Sequence, residues 1–344
     1  MSDAPLFDRC IFSSLTRISA LDTTPFTLAE RPFSEWATGD YVVGVVTDTS
    51  GYHTIELPSG RNMEVAEGDA VMGALGTRKA TLEMTGSWRT IEADGTMHAL
   101  TRAGLFGRVE SRSTLVQRPI ELRYHGHVEH EDEKQTMPET VPAVDEQAFT
   151  TPTVLFVGTS MSAGKTTAAR IVTRRLKRMG LRVVGAKVSG AGRYRDILSI
   201  QDAGADWGYD FVDVGLPSTV VPDEEYRAAL RQLLSRMAQP PADVAIVEIG
   251  ASPLEPYNGA IAVEALQDAL ALTVLCASDP YAVLGVEEAF DMLSPDLVTG
   301  VATNTAAGIE LLDQLTDRPA FNIRDKDTHP ELDALLRDRL PVLD

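Results

Sequence analysis

The 344-residue chain has little of what secreted, membrane-spanning or DNA-binding proteins depend on. Its two cysteines, Cys10 and Cys276, cannot form a disulfide framework, which favours a reducing compartment. No apolar run approaches the roughly 20 residues needed to cross a bilayer. The first residues also lack the basic segment and apolar core of a secretory signal. We therefore expect a cytoplasmic protein that does not engage a membrane.

Basic residues are scarce as well. The chain has 31 lysines and arginines against 50 aspartates and glutamates, a formal net charge of −19. Nucleic-acid binding needs clustered cations that neutralise phosphates, so this balance argues against a nucleic-acid partner. The hydrophobic share of 44% is that of an ordinary globular protein, and the length predicts two domains.

The first part of the chain is rich in short strand-like runs. From Tyr41 to about Val128, runs of β-branched and aromatic residues are bounded by glycine, aspartate or serine. This pattern predicts a β-rich domain over residues 1–128, and residues 66–76 are typical of a turn and a strand in a small barrel. Histidines 125, 127 and 130 are expected on its surface rather than at a metal. Residues 129–152 carry acids and prolines with almost no apolar periodicity, which predicts a linker.

After the linker, strand-like and helix-like segments alternate. Residues 153–158 form a continuous apolar run, and residues 166–179 carry an apolar stripe at helical spacing that ends in basic residues. The alternation predicts an α/β domain over residues 153–344, with a mostly parallel sheet flanked by helices. Five further strands are predicted within LRVVGAKV, DVAIVEIG, LALTVLCAS, LVTGVATN and RPAFNIR.

The stretch GTSMSAGKT joins the first of these strands to the first helix. Backbone N–H groups and the helix dipole attract phosphate at such a junction. Lys165 would reach the β- and γ-phosphates, and the Thr166 hydroxyl would bind Mg²⁺. Five residues, not the usual four, separate Gly158 from Gly164. The predicted nucleotide-binding residues are Gly158, Thr159, Ser160, Ser162, Ala163, Gly164, Lys165, Thr166 and Thr167.

This longer loop resembles that of dethiobiotin synthetase and its relatives, G-T-x-x-x-x-G-K-T. The similarity extends over roughly residues 153–323. It includes GAKVSG after the second strand, AIVEIG, LVTGVATN and the segment 318–323. Some relatives of that family also carry an additional N-terminal domain. The resemblance implies a P-loop nucleoside triphosphatase that binds ATP and Mg²⁺.

The resemblance also implies roles for particular residues. Lys187 would stabilise the transferred phosphoryl group, and Asn304 would contact the adenine edge. Glu248, at the end of an apolar strand, would complete the metal site, because a carboxylate is costly to bury there without a cation or donors. Asp202 matches the family's remaining metal ligand, and Asp196 is the alternative. The implied catalytic residues are thus Lys165, Lys187 and Glu248, and the implied metal ligands are Thr166, Asp202 and Glu248.

The resemblance implies an ATP- and Mg²⁺-dependent, ligase-like enzyme that activates a carboxylate or carbamate by phosphoryl transfer. The alternatives are a nucleotide-dependent switch or adaptor for cofactor or metal-centre assembly, and a small-molecule kinase. We expect an anionic small-molecule substrate and a homo-oligomer. Arg193, Arg195 and the loops at residues 212–219 and 251–259 are candidates for holding the substrate.

Overall fold

The computed structural model describes residues 10–250 and 252–343. They form two compact units. The first comprises residues 10–143 together with 191–195 and 211–221, and the second comprises the remaining described residues from 144 onward. None of the described helices is both long and apolar enough to cross a membrane.

The first unit is built around a closed ring of strands. Strands β6, β3, β11, β9 and β10 pair in turn, and β10 pairs back with β6, so the ring has no free edge. The strands described in the first unit are β1 (Cys10–Phe12), β2 (Thr27–Ala29), β3 (Tyr41–Asp48), β4 (Thr54–Glu56), β5 (Asn62–Glu64), β6 (Ala70–Leu75), β7 (Thr77–Lys79), β8 (Met84–Ser87), β9 (Thr96–Ala99), β10 (Leu105–Arg112), β11 (Glu121–His130) and β12 (Glu133–Lys134).

Apolar side chains from the ring strands form the core of this unit. Val42, Met97, Phe106 and Leu122 each have no exposed surface and belong to one packed cluster. A Cβ atom at Gly73 would lie 2.2 Å from the carbonyl oxygen of Gly104, so the ring closes where only glycine fits. The barrel-like turn and strand predicted at residues 66–76 correspond to β6 and the turn before it.

Two local predictions differ from this structure. The predicted linker begins too early, because Glu129 and His130 complete β11 and pair with β12. Strand pairing there satisfies the backbone without any apolar alternation in the sequence. His127 is fully buried rather than on the surface. Its Nε2 atom lies 3.2 Å from Asp40 Oδ2, and its Nδ1 atom lies 2.6 Å from the Tyr124 hydroxyl.

The second unit contains an all-parallel six-stranded sheet in the order β15-β14-β16-β13-β17-β18. This confirms the predicted α/β fold. Its strands are β13 (Thr153–Gly158), β14 (Val183–Lys187), β15 (Trp207–Asp210), β16 (Val244–Glu248), β17 (Leu270–Ala277) and β18 (Leu297–Gly300). The helices of the chain are α1 (Lys165–Arg178), α2 (Tyr194–Asp202), α3 (Asp223–Ala238), α4 (Gly259–Leu266), α5 (Pro280–Ala289), α6 (Ala306–Leu315) and α7 (His329–Arg339).

The edges of the sheet differ from the prediction. The strand predicted at residues 318–324 is absent, and Ala320 makes only an isolated bridge to Val298. The edge strand β15 was not predicted, because three of its four residues are only partly buried and its sequence lacks a continuous apolar run. The four central strands contain the long apolar runs by which they were identified.

Candidate nucleotide-binding site

The turn between β13 and α1 has the backbone of an anion-binding loop. Ser162 and Gly164 adopt left-handed conformations, with φ of 62° and 108°, and α1 begins at the next residue, Lys165. The first N–H groups of a helix have no partner within it and can donate to phosphate oxygens. The loop therefore presents donors at the carboxyl edge of the parallel sheet, where ligands of open α/β sheets bind.

Gly158 occupies its early position for a steric reason. A Cβ atom there would lie 2.5 Å from Lys165 Nζ and 2.9 Å from its Cδ atom. The Lys165 ammonium donates to the Ser160 carbonyl oxygen at 2.8 Å, so the lysine side chain lies directly over this glycine. Thr159 anchors the longer loop to β17, because its N–H donates to the Cys276 carbonyl oxygen at 3.0 Å. The Thr159 hydroxyl accepts from the Ser278 N–H at 3.0 Å.

Glu248 and Thr166 meet beside this loop. Glu248 ends β16 and is 4% exposed. Its Oε1 atom accepts a hydrogen bond from the Thr166 hydroxyl at 3.2 Å, whereas Oε2 is buried with no hydrogen-bond partner among the described residues. Such an oxygen carries a large desolvation cost unless a cation or donor reaches it. The side-chain oxygens of Glu248 and Thr166 therefore fit Mg²⁺. This ion takes one or two carboxylates and completes its shell with water and phosphate oxygens.

Lys187 lies next to Glu248 in the sheet. The two residues are register partners on β14 and β16, so their side chains leave the same face. The Lys187 ammonium donates to Asp196, in the first turn of α2. Asp202 is exposed at the last residue of that helix, about 9 Å further along its axis at 1.5 Å per residue. The structure thus brings Asp196, and not Asp202, to Lys187.

The charges of this cluster shift one another's protonation. Burial raises the pKa of Glu248, the nearby Asp196 raises it further, and Lys187, Lys165 and the Thr166 hydroxyl oppose the shift. Burial also lowers the pKa of Lys165, while Glu248 opposes that change. A cation near Glu248 would favour the ionised carboxylate, and a phosphate near Lys165 would favour the protonated ammonium. A ligand that brings both a cation and an anion would therefore favour the charged forms of Glu248 and Lys165 together.

A cavity of about 170 Å³ extends from the phosphate loop towards β18. It brings the predicted base contact Asn304 together with the loop. Gly300 closes the cavity against the loop, because a Cβ atom there would lie 2.3 Å from the Ala163 carbonyl oxygen. Its lining residues are Ser162, Gly164, Thr167, Ala168, Thr299, Gly300, Val301, Asn304, Asn322, Ile323 and Arg324. Arg324 was not predicted as a site residue. Its only signal in the sequence is its place directly after residues 318–323, which belong to the family resemblance.

The predicted substrate-binding residues are divided between the two units. Arg193, Arg195 and residues 212–219 belong to the first unit, where Asp213 pairs with Arg17 at 2.9 Å. Ala251 lies outside the described residues. The rest of the loop at 252–259 belongs to the second unit, where the Glu255 carboxylate accepts from the Ser252 N–H at 2.8 Å. In the first unit the segments 191–195 and 212–219 meet, because the Gly192 N–H donates to the Pro217 carbonyl oxygen at 3.0 Å.

Comparisons with known proteins return similarity in structure alone. No family model and no curated protein matches the chain. The hydrogenase maturation factor HypB from Archaeoglobus fulgidus is 15% identical, with a TM-score of 0.38, over 55% of this chain and 90% of that one. HypB from Helicobacter pylori, in complex with nickel, is 14% identical with a TM-score of 0.36, over 55% and 86%.

A third similar structure is the signal recognition particle 54 kDa protein from Aeropyrum pernix in complex with GDP. It is 18% identical with a TM-score of 0.34, over 57% of this chain and 50% of that one. None of these three is a dethiobiotin synthetase, and all three TM-scores are below 0.5. The parallel sheet and the Gly-Lys-Thr loop between β13 and α1 show the fold directly. The second unit has an α/β fold with this parallel sheet and loop, as P-loop nucleoside triphosphatases do.

Proposed function

We propose that the second unit binds a nucleoside triphosphate together with Mg²⁺ and hydrolyses it. The observation that carries this proposal is the buried, unpartnered Oε2 atom of Glu248, beside the Thr166 hydroxyl and the phosphate loop. The loop N–H groups and Lys165 would bind the phosphates, while Thr166 and Glu248 would hold the metal. When bound, Mg²⁺ neutralises charge on the β- and γ-phosphate oxygens. Lys187 would oppose charge that develops on the γ-phosphoryl group.

We propose ATP as the nucleotide, because the cavity offers amide side chains to a base. Asn304 and Asn322 each carry a donor and an acceptor, which match the amino group and a ring nitrogen of adenine. The GDP named for the signal recognition particle protein makes GTP the alternative. Competition between ATP and GTP for the purified protein distinguishes the two. Tighter binding of GTP would overturn the adenine assignment without affecting the phosphate site.

The bound nucleotide has three candidate uses. A nucleotide-dependent switch or adaptor would show slow basal hydrolysis that a protein partner accelerates. Transfer of the phosphoryl group to a small molecule's carboxylate or carbamate is the second candidate, favoured by Lys187. This second buried lysine, held by Asp196, would place a further ammonium donor beside Glu248. Release of ADP that depends on a carboxylate or carbamate would identify the ligase-like reaction, and a stable phosphorylated product would identify a kinase.

The first experiment measures phosphate release with ATP and with GTP, in the presence and absence of Mg²⁺. Lys165→Ala should reduce turnover on the order of 100-fold or more, since it removes a preorganised charge that faces the phosphates. Arg174→Ala is the matched control, because it removes a cation from the exposed face of the same helix. Circular dichroism should show both variants folded. Unchanged turnover in Lys165→Ala would refute the phosphate-loop assignment.

A second pair of variants tests which aspartate serves the site. Asp196→Asn removes the partner of Lys187 and should raise the Mg²⁺ concentration needed for half-maximal hydrolysis. Asp202→Asn changes an exposed residue at the opposite end of α2 and should leave that concentration unchanged. The measurement is hydrolysis titrated with Mg²⁺ at saturating nucleotide. The reverse pattern would restore Asp202 as the metal ligand.

A further inference from the structure

The first unit contains a cavity of its own, of about 230 Å³. None of the nucleotide-site residues described above lies in its wall. The wall is shared by strands of the β-rich unit and by the short segment 191–195 that belongs to that unit. Its lining residues are Tyr52, Thr54, Glu56, Asn62, Arg78, Glu83, Met84, Ala99, Leu100, Thr101, Arg102, Ile120, Arg193 and Arg195.

Positive charge is concentrated in this wall, although the chain as a whole carries a net charge of −19. Four arginines line the cavity against two glutamates, Glu56 and Glu83. Both glutamates are already engaged. The Glu56 carboxylate accepts from the Ser14 hydroxyl at 2.6 Å and from two backbone N–H groups, at Tyr194 and Arg195, each at 2.9 Å. Glu83 pairs with Arg78.

Two of the arginines are held in defined orientations. Arg78 is 9% exposed, and its Nη1 atom donates to the Leu100 carbonyl oxygen at 2.6 Å. The Arg102 guanidinium lies over the Tyr52 ring, 4.7 Å from its centroid. Stacking against an aromatic face restricts a guanidinium while its N–H edge remains able to donate. The fixed cations thus require no large rearrangement to meet an anion.

The same wall offers an apolar surface. Met84, Leu100 and Ile120 are buried core residues that also reach the cavity, and the Tyr52 ring lies beside them. A ligand that carried only charge would leave this surface unused. A ligand with an oxyanion at one end and an apolar body at the other would satisfy both parts of the wall.

We propose that this cavity binds a small molecule that carries a carboxylate or phosphate group on an apolar body. Guanidinium groups match both oxyanions because two parallel N–H donors face two oxygens. The volume of about 230 Å³ accommodates a molecule the size of a substituted benzene ring. The site belongs to the first unit and does not depend on the nucleotide proposal.

Calorimetric titration with phenyl phosphate, benzoate and inorganic phosphate tests the proposal. It is performed on the full chain carrying Lys165→Ala, so that the phosphate loop contributes little to anion binding. Phenyl phosphate or benzoate should bind saturably, and phenyl phosphate should bind more tightly than inorganic phosphate. Arg102→Ala and Arg193→Ala, each added to that chain, should weaken binding about tenfold or more, because each removes charge-assisted hydrogen bonds.

Two further variants keep the result interpretable. Arg89→Ala removes an arginine that lies over Trp88 in the same unit, outside the cavity wall, and should bind as the parent does. Arg102→Lys retains the charge without the planar fork and should give intermediate affinity even if Arg193→Ala fails to fold. The proposal is overturned if none of the three anions binds saturably at millimolar concentration. It is equally overturned if Arg102→Ala and Arg102→Lys bind with the parent's affinity.

Discussion

Glu248 is buried at a cost to stability that the proposed metal site would offset. Its carboxylate is buried, one oxygen has no hydrogen-bond partner among the described residues, and burial raises its pKa. Strained or under-satisfied polar groups of this kind persist where a ligand completes them. The physical cost is therefore expected to appear in the metal-free protein and to disappear on binding.

Glu248→Gln should stabilise the metal-free protein at neutral pH. The folded-state pKa of Glu248 is raised above its ordinary value of 4.5, so the folded chain holds this proton more tightly than the unfolded chain does. The stabilisation linked to the proton is complete below the ordinary pKa and is lost as the pH rises through the folded pKa. Glutamine cannot ionise, so the variant does not lose stability in this way as the pH rises. Thermal unfolding followed across pH should show a higher midpoint for the variant than for the wild type only at pH values above the ordinary pKa of 4.5.

The same variant should lose its response to Mg²⁺. Nucleotide with Mg²⁺ should raise the unfolding midpoint of the wild-type chain more than that of Glu248→Gln, because ligands stabilise in proportion to their affinity. Nucleotide affinity without metal should change less. A variant that is less stable than wild type at neutral pH without metal would contradict the raised pKa.

The residues of the phosphate loop were accessible from sequence, whereas the partner of Lys187 was not. Lys165 and Thr166 are fixed by a contiguous motif at a strand-to-helix junction, so local pattern suffices. Asp196 and Asp202 lie on one helix, and only its placement in three dimensions shows that Asp196 reaches Lys187. His127 likewise gives no sign in sequence that Asp40, 87 residues earlier, will enclose it.

At the scale of elements, the phosphate loop is a packed structure rather than a flexible turn. Gly158→Ala would place a Cβ atom 2.5 Å from Lys165 Nζ, so the lysine must leave its position over the loop. We expect turnover to fall about tenfold or more, since a displaced charge no longer meets the phosphates. The measurement is phosphate release at saturating nucleotide, with the unfolding midpoint recorded in parallel.

Gly285→Ala is the matched control for that variant. Gly285 lies inside α5, and a Cβ atom there would meet nothing within 4 Å. Alanine should therefore stabilise the helix by about 0.5–1 kcal/mol and leave turnover unchanged. Loss of turnover in both variants would show that glycine substitution acts through general instability, not through Lys165.

Elements were predictable where burial was complete. Strands β13, β14, β16 and β17 are apolar on both faces, apart from terminal polar residues and Thr273 within β17, and were identified by their apolar runs. The segment 318–324 also contains apolar residues, but Phe321 and Ile323 are buried although the chain there is irregular and lines the cavity of about 170 Å³. Periodicity reports burial, and burial alone does not specify a strand.

At the scale of the whole molecule, the sequence predicted two domains but not which residues belong to each. The β-rich unit also contains residues 191–195 and 211–221, which follow strands of the other unit in the chain. Contacts between residues far apart in sequence decide this, and no local signal marks them. Arg193 and Arg195 were predicted to hold the substrate, but their place in the wall of the proposed anion cavity, together with Arg78 and Arg102, came only from the structure.

The net charge of −19 leads to a prediction for the chain as a whole. Even if every lysine and arginine pairs with an acid, unpaired carboxylates remain and repel one another in the compact state. Salt shortens the screening distance from about 30 Å at about 0.01 M to about 3 Å at about 1 M. Salt also weakens the exposed ion pairs, which lowers stability, but each pair contributes only about 0–1 kcal/mol. We therefore expect repulsion to dominate and the unfolding midpoint to rise with salt.

Thermal unfolding in increasing sodium chloride tests that expectation. Potassium chloride at equal ionic strength should give the same midpoints, because screening depends on ionic strength rather than on the cation. Sulfate is a poor substitute, since it also strengthens the burial of apolar surface. The rise should shrink as the pH is lowered and carboxylates take up protons, because the repelling charge is then reduced. A midpoint that falls with chloride salt at neutral pH would show that the ion pairs outweigh the excess negative charge.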